Sequence, residues 1–337
     1  MKDTILLGHG SGGELTHELI SKLFVKYFSN EFLNKQTDSA ILPVDGEDMS
    51  FTTDSFVVDP IFFPGGDIGK LAVAGTVNDL AVSGAAALYL SCSFIIEEGF
   101  PMDHLERIVK SMSREAEEAG IKIVTGDTKV VDRGKCDKIF INTSGIGKIL
   151  KKHRNISFGE NIMPGDRIII NGSIADHGMS VMAARNDLNI HSSITSDCAS
   201  LNSLIGNALR KSDNIRFMRD ATRGGLATVL TELAGGKNYG VRIDETALRV
   251  KENVRGMCEL LGFDPLYVAN EGKVVLVVAR EDSQEVLDAM KAHPYGKESA
   301  IIGEISEEHP GRAWVNTEIG GKRLIDMLAG EQLPRIC

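Results

Sequence analysis

Apolar positions along this chain keep two rhythms, a period near 3.6 and a period near 2, and they trade places from beginning to end. After the apolar triplet Ile5-Leu6-Leu7, residues Glu14 to Phe28 carry the helical period. Ser39–Val44 and the β-branched, aromatic run Ser50–Pro60 read as strands, and Ile68–Ser83, rich in small residues, reads as a helix. Strand Ala87–Ile96, amphipathic helix Met102–Ala119, strand Ile121–Thr125 and strand Ile139–Ile149 follow. A turn at Met163-Pro164-Gly165-Asp166 then resets the pattern at a candidate domain boundary. Beyond it the spacing predicts strand Arg167–Asn171, a helix through Arg185, helices Asp197–Leu209 and up to Ala234, and strand Val274–Ala279. Helix Asp282–Ala292 and strands Ala300–Ile305 and Ala313–Thr317 come next, and last a helix over Arg323–Ala329 stopped by Gly330. Alternating strands and helices in both halves place the chain in the α/β class.

The tail after Gly330 carries a sulfur at the very end of the polypeptide, in Leu333-Pro334-Arg335-Ile336-Cys337. Pro334 prevents a return to helix, so the expectation is a short mobile arm whose terminal thiol packs against nothing. The neighbouring carboxylate raises that thiol's pKa and Arg335 lowers it, so any activation must come from a site elsewhere.

Composition narrows the function classes. Of 337 residues, 42% are hydrophobic and 25% charged, which is ordinary for a globular protein of two domains. With 37 basic against 47 acidic side chains the net charge of −10 repels phosphate backbones and argues against nucleic-acid binding. No run approaches 18 apolar residues and no secretory leader opens the chain, so the expectation is a cytoplasmic protein without a membrane span. Five cysteines without CxxC spacing indicate neither a disulfide framework nor zinc, and Cys92 and Cys258 read as core fillers.

Candidate chemistry begins at Gly8-His9-Gly10-Ser11-Gly12-Gly13. The pattern matches a dinucleotide fingerprint, but the acidic residue that should follow the second strand, Asp38, precedes it. A glycine loop whose amides wrap phosphate is the better reading, with His9 as a possible phosphate contact. Four carboxylates, Asp38, Asp54, Asp79 and Asp127, sit in apolar or glycine-rich settings; singly each reads as a turn former or cap, whereas together they suggest coordination of a hard cation such as magnesium. His177 reads as a cap-region residue at a helix start.

Six motifs in consistent order, DSA at Asp38, TTDSF at Asp54, TVNDLA at Asp79, GDTKV at Asp127, PGD at Pro164 and DATRGGL at Asp220, resemble the ATP-binding superfamily of aminoimidazole ribonucleotide synthetase, selenophosphate synthetase and thiamine-monophosphate kinase. Together with GHGSGG, NEGK and the terminal PRIC they are similar to the carbamoyl dehydratases of hydrogenase maturation. The resemblance implies a two-domain PurM-like fold. Its N-terminal domain (1–155) pairs in a homodimer, its C-terminal domain spans 156–330, and 331–337 is a mobile tail. It further implies ATP bound by His9, Gly10, Ser11, Gly12, Gly13, Thr76, Asn78 and Lys129, with magnesium on Asp38, Asp54, Asp79, Asp127 and Asp220. In such enzymes the terminal cysteine, here Cys337, receives a carbamoyl group from the carbamoyltransferase HypF. The group is dehydrated to a thiocyanate, whose cyanide passes to iron on a HypC–HypD scaffold.

For that reaction Glu271, in a loop between Asn270 and Gly272, is the candidate base, and Lys129 is the candidate group that orients the oxygen or the phosphoryl. Two competing readings remain open: a kinase of a free small molecule with the tail as a lid, and a non-catalytic thiol carrier.

Overall fold

A computed structural model describes residues 13–185, 193–328, 330 and 333–337. The first strong element, α1 (Glu14–Leu19), widens into a π-helical turn (Ile20–Phe24) and continues as α2 (Val25–Phe28), so the long predicted helix is present with a bulge in it. Strands β1 (Ala40–Val44) and β2 (Glu47–Phe56) form a hairpin, and the short pair β3 (Phe62–Phe63) and β4 (Gly66–Asp67) leads into α3 (Ile68–Val82). Then come β5 (Ala85–Glu97), α4 (Met102–Ala119), β6 (Lys122–Val131) and β7 (Ile139–Ile149). The five strands make one sheet in the order β1-β2-β7-β5-β6, antiparallel except for β5 and β6, which are parallel because α4 carries the chain back across.

The second half contributes β8 (Arg167–Ile170), α5 (Asp176–Ala184), α6 (Asn202–Lys211), β9 (Ile215–Asp220), α7 (Gly225–Ala234) and β10 (Gly240–Asp244). It continues with α8 (Glu252–Leu261), β11 (Val274–Val278), α9 (Ser283–Lys291), β12 (Ala300–Ser306), β13 (Ala313–Asn316) and β14 (Lys322–Ile325). Seven strands order as β14-β13-β10-β12-β8-β11-β9. Every side chain of β11, Val274-Val275-Leu276-Val277-Val278, is buried, which is why that segment reads as an unbroken apolar run.

Helix α3 ties the halves together. Thirteen of its fifteen residues are buried, so it has no solvent face. One side packs on β2, β7 and β5 and another on α6 and β9. Asp67 starts it, its carboxylate accepting from the amides of Gly69 and Lys70 at 2.8 and 3.0 Å. Cys92 and Cys258 are buried as expected.

Three expectations need correction. Lys322–Ile325 is a strand paired antiparallel with β13, not the start of a helix. A period-3.6 pattern over so short a run is equally compatible with β structure, and the open edge of β13 decided the matter. The helix predicted from Asp197 starts at Asn202, because amides within 196–201 are spent on partners remote in sequence and not on the carbonyls of a preceding helical turn. Ser196 N–H goes to Pro64 O, Ser200 N–H to Glu115 and Leu201 N–H to Asn78. Strand β6 runs on through Gly126-Asp127-Thr128-Lys129 instead of ending there, and β10 was not predicted.

Gly145 in β7 faces α3 at the tightest point of this packing. A Cβ there would lie 2.8 Å from Leu90 Cδ2 and Thr76 Cγ2 and 2.9 Å from Leu80 Cδ1. Gly145→Ala is expected to cost about 1–3 kcal/mol, read as a lowered midpoint of urea unfolding; an unchanged midpoint refutes the account of this seam.

Candidate active site

Two sheets and α3 bring four aspartates to one seam. Asp38 lies two residues before β1, Asp54 lies in β2, Asp79 in the last turn of α3, and Asp220 ends β9. Gly75 and Asp79 are one helical turn apart on α3, and that face looks at β2. A Cβ on Gly75 would come 3.8 Å from Asp54 Oδ2, and the Thr52 hydroxyl lies 2.8 Å from Asp79 Oδ2 and 2.9 Å from the main-chain oxygen of Asp38.

Burial and mutual repulsion dominate the electrostatics. Asp79 is pushed well above the usual carboxylate range, first by burial and then by the charges of Asp220, Asp54 and Asp38. Asp220 is raised to about 8 by burial and then by Asp38, against the opposing pull of Arg219. Asp38 and Asp54 are also raised by burial, moderated by Arg219 and Arg223 respectively. Arg219 Nε stands 3.0 Å from Asp38 Oδ2, and its other nitrogen binds Glu232, which also meets His17 at 3.1 Å. Thr16, His17, Thr37, Asp38, Arg219 and Asp220 line a cavity of about 440 Å³ beside this network.

Glu271 closes the seam from the C-terminal half. Its loop is fixed by Asp197, whose carboxylate accepts from the amides of Glu271 and Gly272 at 3.1 and 3.2 Å and from Lys273 Nζ at 2.8 Å. Gly272 is required there, since a Cβ would meet Asp197 O at 1.9 Å. Asn270 braces the other side, donating to Ala221 O at 2.8 Å and accepting from Ala175 N–H at 2.8 Å. The Glu271 side chain is 3% exposed, and its Oε1 has no hydrogen-bond partner among the described residues. Burial, then Asp220 and Asp54, raise its carboxyl far above the ordinary value.

Oxygen-rich donors that repel one another in a buried seam suit a hard divalent cation. Among the described residues no three acidic, imidazole or thiol groups already close around one point. The set therefore fits an ion whose coordination is completed by phosphate oxygens, with Asp38, Asp54, Asp79 and Asp220 as the protein's share.

Not every predicted site residue arrives here. Asp127 and Lys129 sit on β6, exposed and paired with each other at 2.5 Å, and Lys129 holds Asp127 below the usual carboxylate range. Asp54 registers with Thr143, Thr143 with Cys92 and Cys92 with Gly126, so three strand spacings, about 14 Å, separate this pair from the cluster within one chain. Thr76 and Asn78 are also spent elsewhere. Thr76 is buried against the hydroxyl of Thr143, and Asn78 donates to Ala199 O at 3.1 Å and accepts from Leu201 N–H at 2.7 Å. Both cross-brace the chain from a helix that is buried on nearly every side. His9, Gly10, Ser11 and Gly12 lie outside the described residues; Gly13 is in close contact with Leu328, whose oxygen accepts from Glu14 N–H at 2.9 Å.

The tail is docked rather than free. Leu333 and Ile336 are 5% and 3% exposed in the core cluster around α3, and Cys337 packs half-buried against it. Val57 N–H donates to Cys337 O and Asp59 N–H to Arg335 O, each at 3.1 Å. The terminal residue thus lies beside the chain three positions beyond Asp54. Sequence reasoning missed Asp197, Arg219 and Glu232, which carry no local signature; His177 does lie at a helix start as expected, but its burial and its contact with the tail were not foreseen.

The two mixed α/β halves are those of the AIR synthase related proteins: residues 36–149 match the N-terminal domain of that family and 163–316 the C-terminal domain. The match narrows further. Carbamoyl dehydratase HypE of Rhodobacter capsulatus is 48% identical over 99% of this chain and 98% of its own length. A crystal structure of hydrogenase maturation protein HypE in complex with ATP superposes with a TM-score of 0.82 at 48% identity, covering 99% of this chain and 100% of that one. A HypE–HypF complex gives 0.86 at 49% identity over 92% and 99%. The chain belongs to the HypE carbamoyl dehydratase family.

Acidic repulsion has a measurable signature. The unfolded chain ionises Asp220 near 3.8 while the folded chain holds its proton to about 8, so stability is lost as pH rises across that interval when no cation is bound. Asp220→Asn removes this loss. In EDTA the thermal midpoint of the variant is expected to gain on the parent from about pH 5 to about pH 8; a constant difference refutes the repulsion.

Proposed function

We propose that this protein dehydrates an S-carbamoyl group carried on its own Cys337 to a thiocyanate, consuming ATP, and so supplies a cyanide ligand for the iron of [NiFe]-hydrogenase. One observation carries the reading: the C-terminal residue is docked on Val57, next to a seam where Asp38, Asp54, Asp79, Asp220 and Glu271 converge with too little positive charge.

The chemistry requires such a seam. The thiocarbamate S–C(=O)–NH₂ loses its oxygen only after that oxygen becomes part of a good leaving group. Transfer of the γ-phosphoryl to it makes the leaving group phosphate, and loss of two N–H protons leaves S–C≡N, ADP and phosphate. Magnesium, when bound, would offset the charge of the transferred phosphoryl. Asp38, Asp54, Asp79 and Asp220 hold the cation, and the cavity beside Arg219 takes part of the nucleotide. Glu271 takes a proton from nitrogen. Burial raises the Glu271 pKa first, then the charges of Asp220, Asp54 and Asp197; a cation next to Asp220 and Asp54 would offset those two repulsions and favour the ionised form that can accept a proton.

Asp127 and Lys129 enter this reading through a second copy. Phe51, Ile146 and Tyr89 stand side by side across the outer face of the N-terminal sheet, each 36–44% exposed, with Val124 and Val130 on its edge strand at 58% and 66%. An apolar face of this kind on the proposed N-terminal domain supports a homodimer in which β6 of one protomer brings Asp127 and Lys129 toward the other's seam. Ile146→Arg is expected to shift sedimentation from dimer to monomer; a parent that already sediments as a monomer rules the pairing out. HypF is the proposed carbamoyl donor and a HypC–HypD scaffold the acceptor of the cyanide.

Intact mass tests the whole. With HypF, carbamoyl phosphate, ATP and magnesium, Cys337 should gain a carbamoyl group and then lose the mass of one water. Cys337→Ser should show neither change. Glu271→Gln should still be carbamoylated but form the nitrile slower by about 10²–10⁴-fold. Nucleotide turnover on a free small molecule with no change in protein mass would overturn the assignment in favour of a kinase.

A further inference from the structure

The last four residues are held by their main chain, and helix α5 supplies the grip. Cys337 O and Arg335 O are taken by the amides of Val57 and Asp59. The two carbonyls facing the other way go to α5. His177 in its first turn places Nε2 2.7 Å from Ile336 O, and Arg185 at its C-cap donates to Pro334 O and, at 3.3 Å, to Arg335 O. Arg185 Nε also donates to Asp59 O at 3.0 Å, so the same side chain fixes both the tail and the strand end on which it lies.

The His177 ring has its orientation and its tautomer set from behind. Ile336 O can only accept, so Nε2 carries the hydrogen. Ser196 Oγ takes the amide hydrogen of Cys198 at 3.0 Å and gives its own proton to Nδ1 at 2.8 Å. The ring meets Phe63 edge-on at 5.4 Å and is fully buried. Arg335 adopts a left-handed backbone with φ of 53°, a conformation disfavoured for a non-glycine residue that the docked contacts hold in place. Its side chain is occupied by Val57 O at 3.0 Å and by Asp137.

We propose that α5 is a two-point clamp for the C-terminal tail, and that His177 and Arg185 are positioning residues that seat Cys337 beside Val57 by binding the carbonyls of Pro334, Arg335 and Ile336. Buried donors aimed at main-chain oxygens recognise the path of the tail, while side-chain selection falls to the pockets of Leu333 and Ile336. The strained Arg335 opposes the clamp, so loss of one donor shifts the tail toward release. This inference concerns where the tail rests and stands whether or not Cys337 is the group transformed.

The test uses the full chain alone, without nucleotide or HypF. Carboxypeptidase Y removes Cys337 only from an undocked tail, and intact mass reports the rate. His177→Phe keeps the ring and its edge contact with Phe63 but has no donor; release is expected to accelerate roughly three- to tenfold, the worth of one buried hydrogen bond. His177→Gln can still donate from its terminal amide and should stay within about twofold of the parent. A parental rate in His177→Phe overturns the clamp, and if His177→Gln alone is accelerated the packing of the ring is the cause; equal acceleration in both variants also overturns it, because a retained donor would then hold nothing. If His177→Phe does not fold, Arg185→Met asks the same question at the second point of the clamp by removing the donors to Pro334 O and Arg335 O, and a parental rate there is equally fatal.

Discussion

Mutual repulsion among carboxylates that the fold will not let apart is the constraint on which the rest depends. Asp38, Asp54 and Asp79 come from the N-terminal half and Asp220 from the C-terminal half, and Glu271 is pressed against them from a loop its neighbours hold rigid. Such an arrangement costs stability in the isolated chain, a cost that the proposed cation would offset. Arg219 offsets part of the burden at Asp38 but is itself divided between Asp38 and Glu232. The seam is therefore left with too little positive charge, which the proposed cation, held together with polyphosphate, would supply.

Rigid surroundings make that constraint effective. Asp197 organises the Glu271 turn by accepting three hydrogen bonds, and burial of Lys273 against it leaves the turn no alternative geometry. Gly272 lets that turn approach Asp197 closely enough to be held. In α3 small residues permit close approach to both sheets, which is why a helix with almost no amphipathic pattern sits at the centre of the molecule. The two cores meet on it, and the aspartates are spaced by packing on either side of a single rod.

Much of this was legible in the residues. Strands Ile139–Ile149 and Val274–Val278 and helices α3 and α4 follow from period and composition almost to the residue, because each is long or wholly apolar. The aspartates of the seam were legible as charges in the wrong company: Asp54 within a strand and Asp79 among apolar helical neighbours. What sequence could not separate was which embedded polar groups face a cleft and which cross-brace the chain. Asn78 and Asp79 are adjacent and look alike on paper, yet on α3 they differ by 100° in direction, and one meets the loop at 199–201 while the other meets β2. Arg323–Ile325 was misread because a short run fits either period and an unpaired strand edge some ten residues earlier decided its fate.

The amide of Asn78 has one more implication. Both its hydrogen bonds cross from the N-terminal half to the segment before α6, inside a wall of apolar contacts, so the halves are riveted where a hinge would have to bend. Opening by rotation of one half on the other is thereby closed off at this point. The distance between the halves across the aspartates is set from within, by the amide that neighbours Asp79 in the chain.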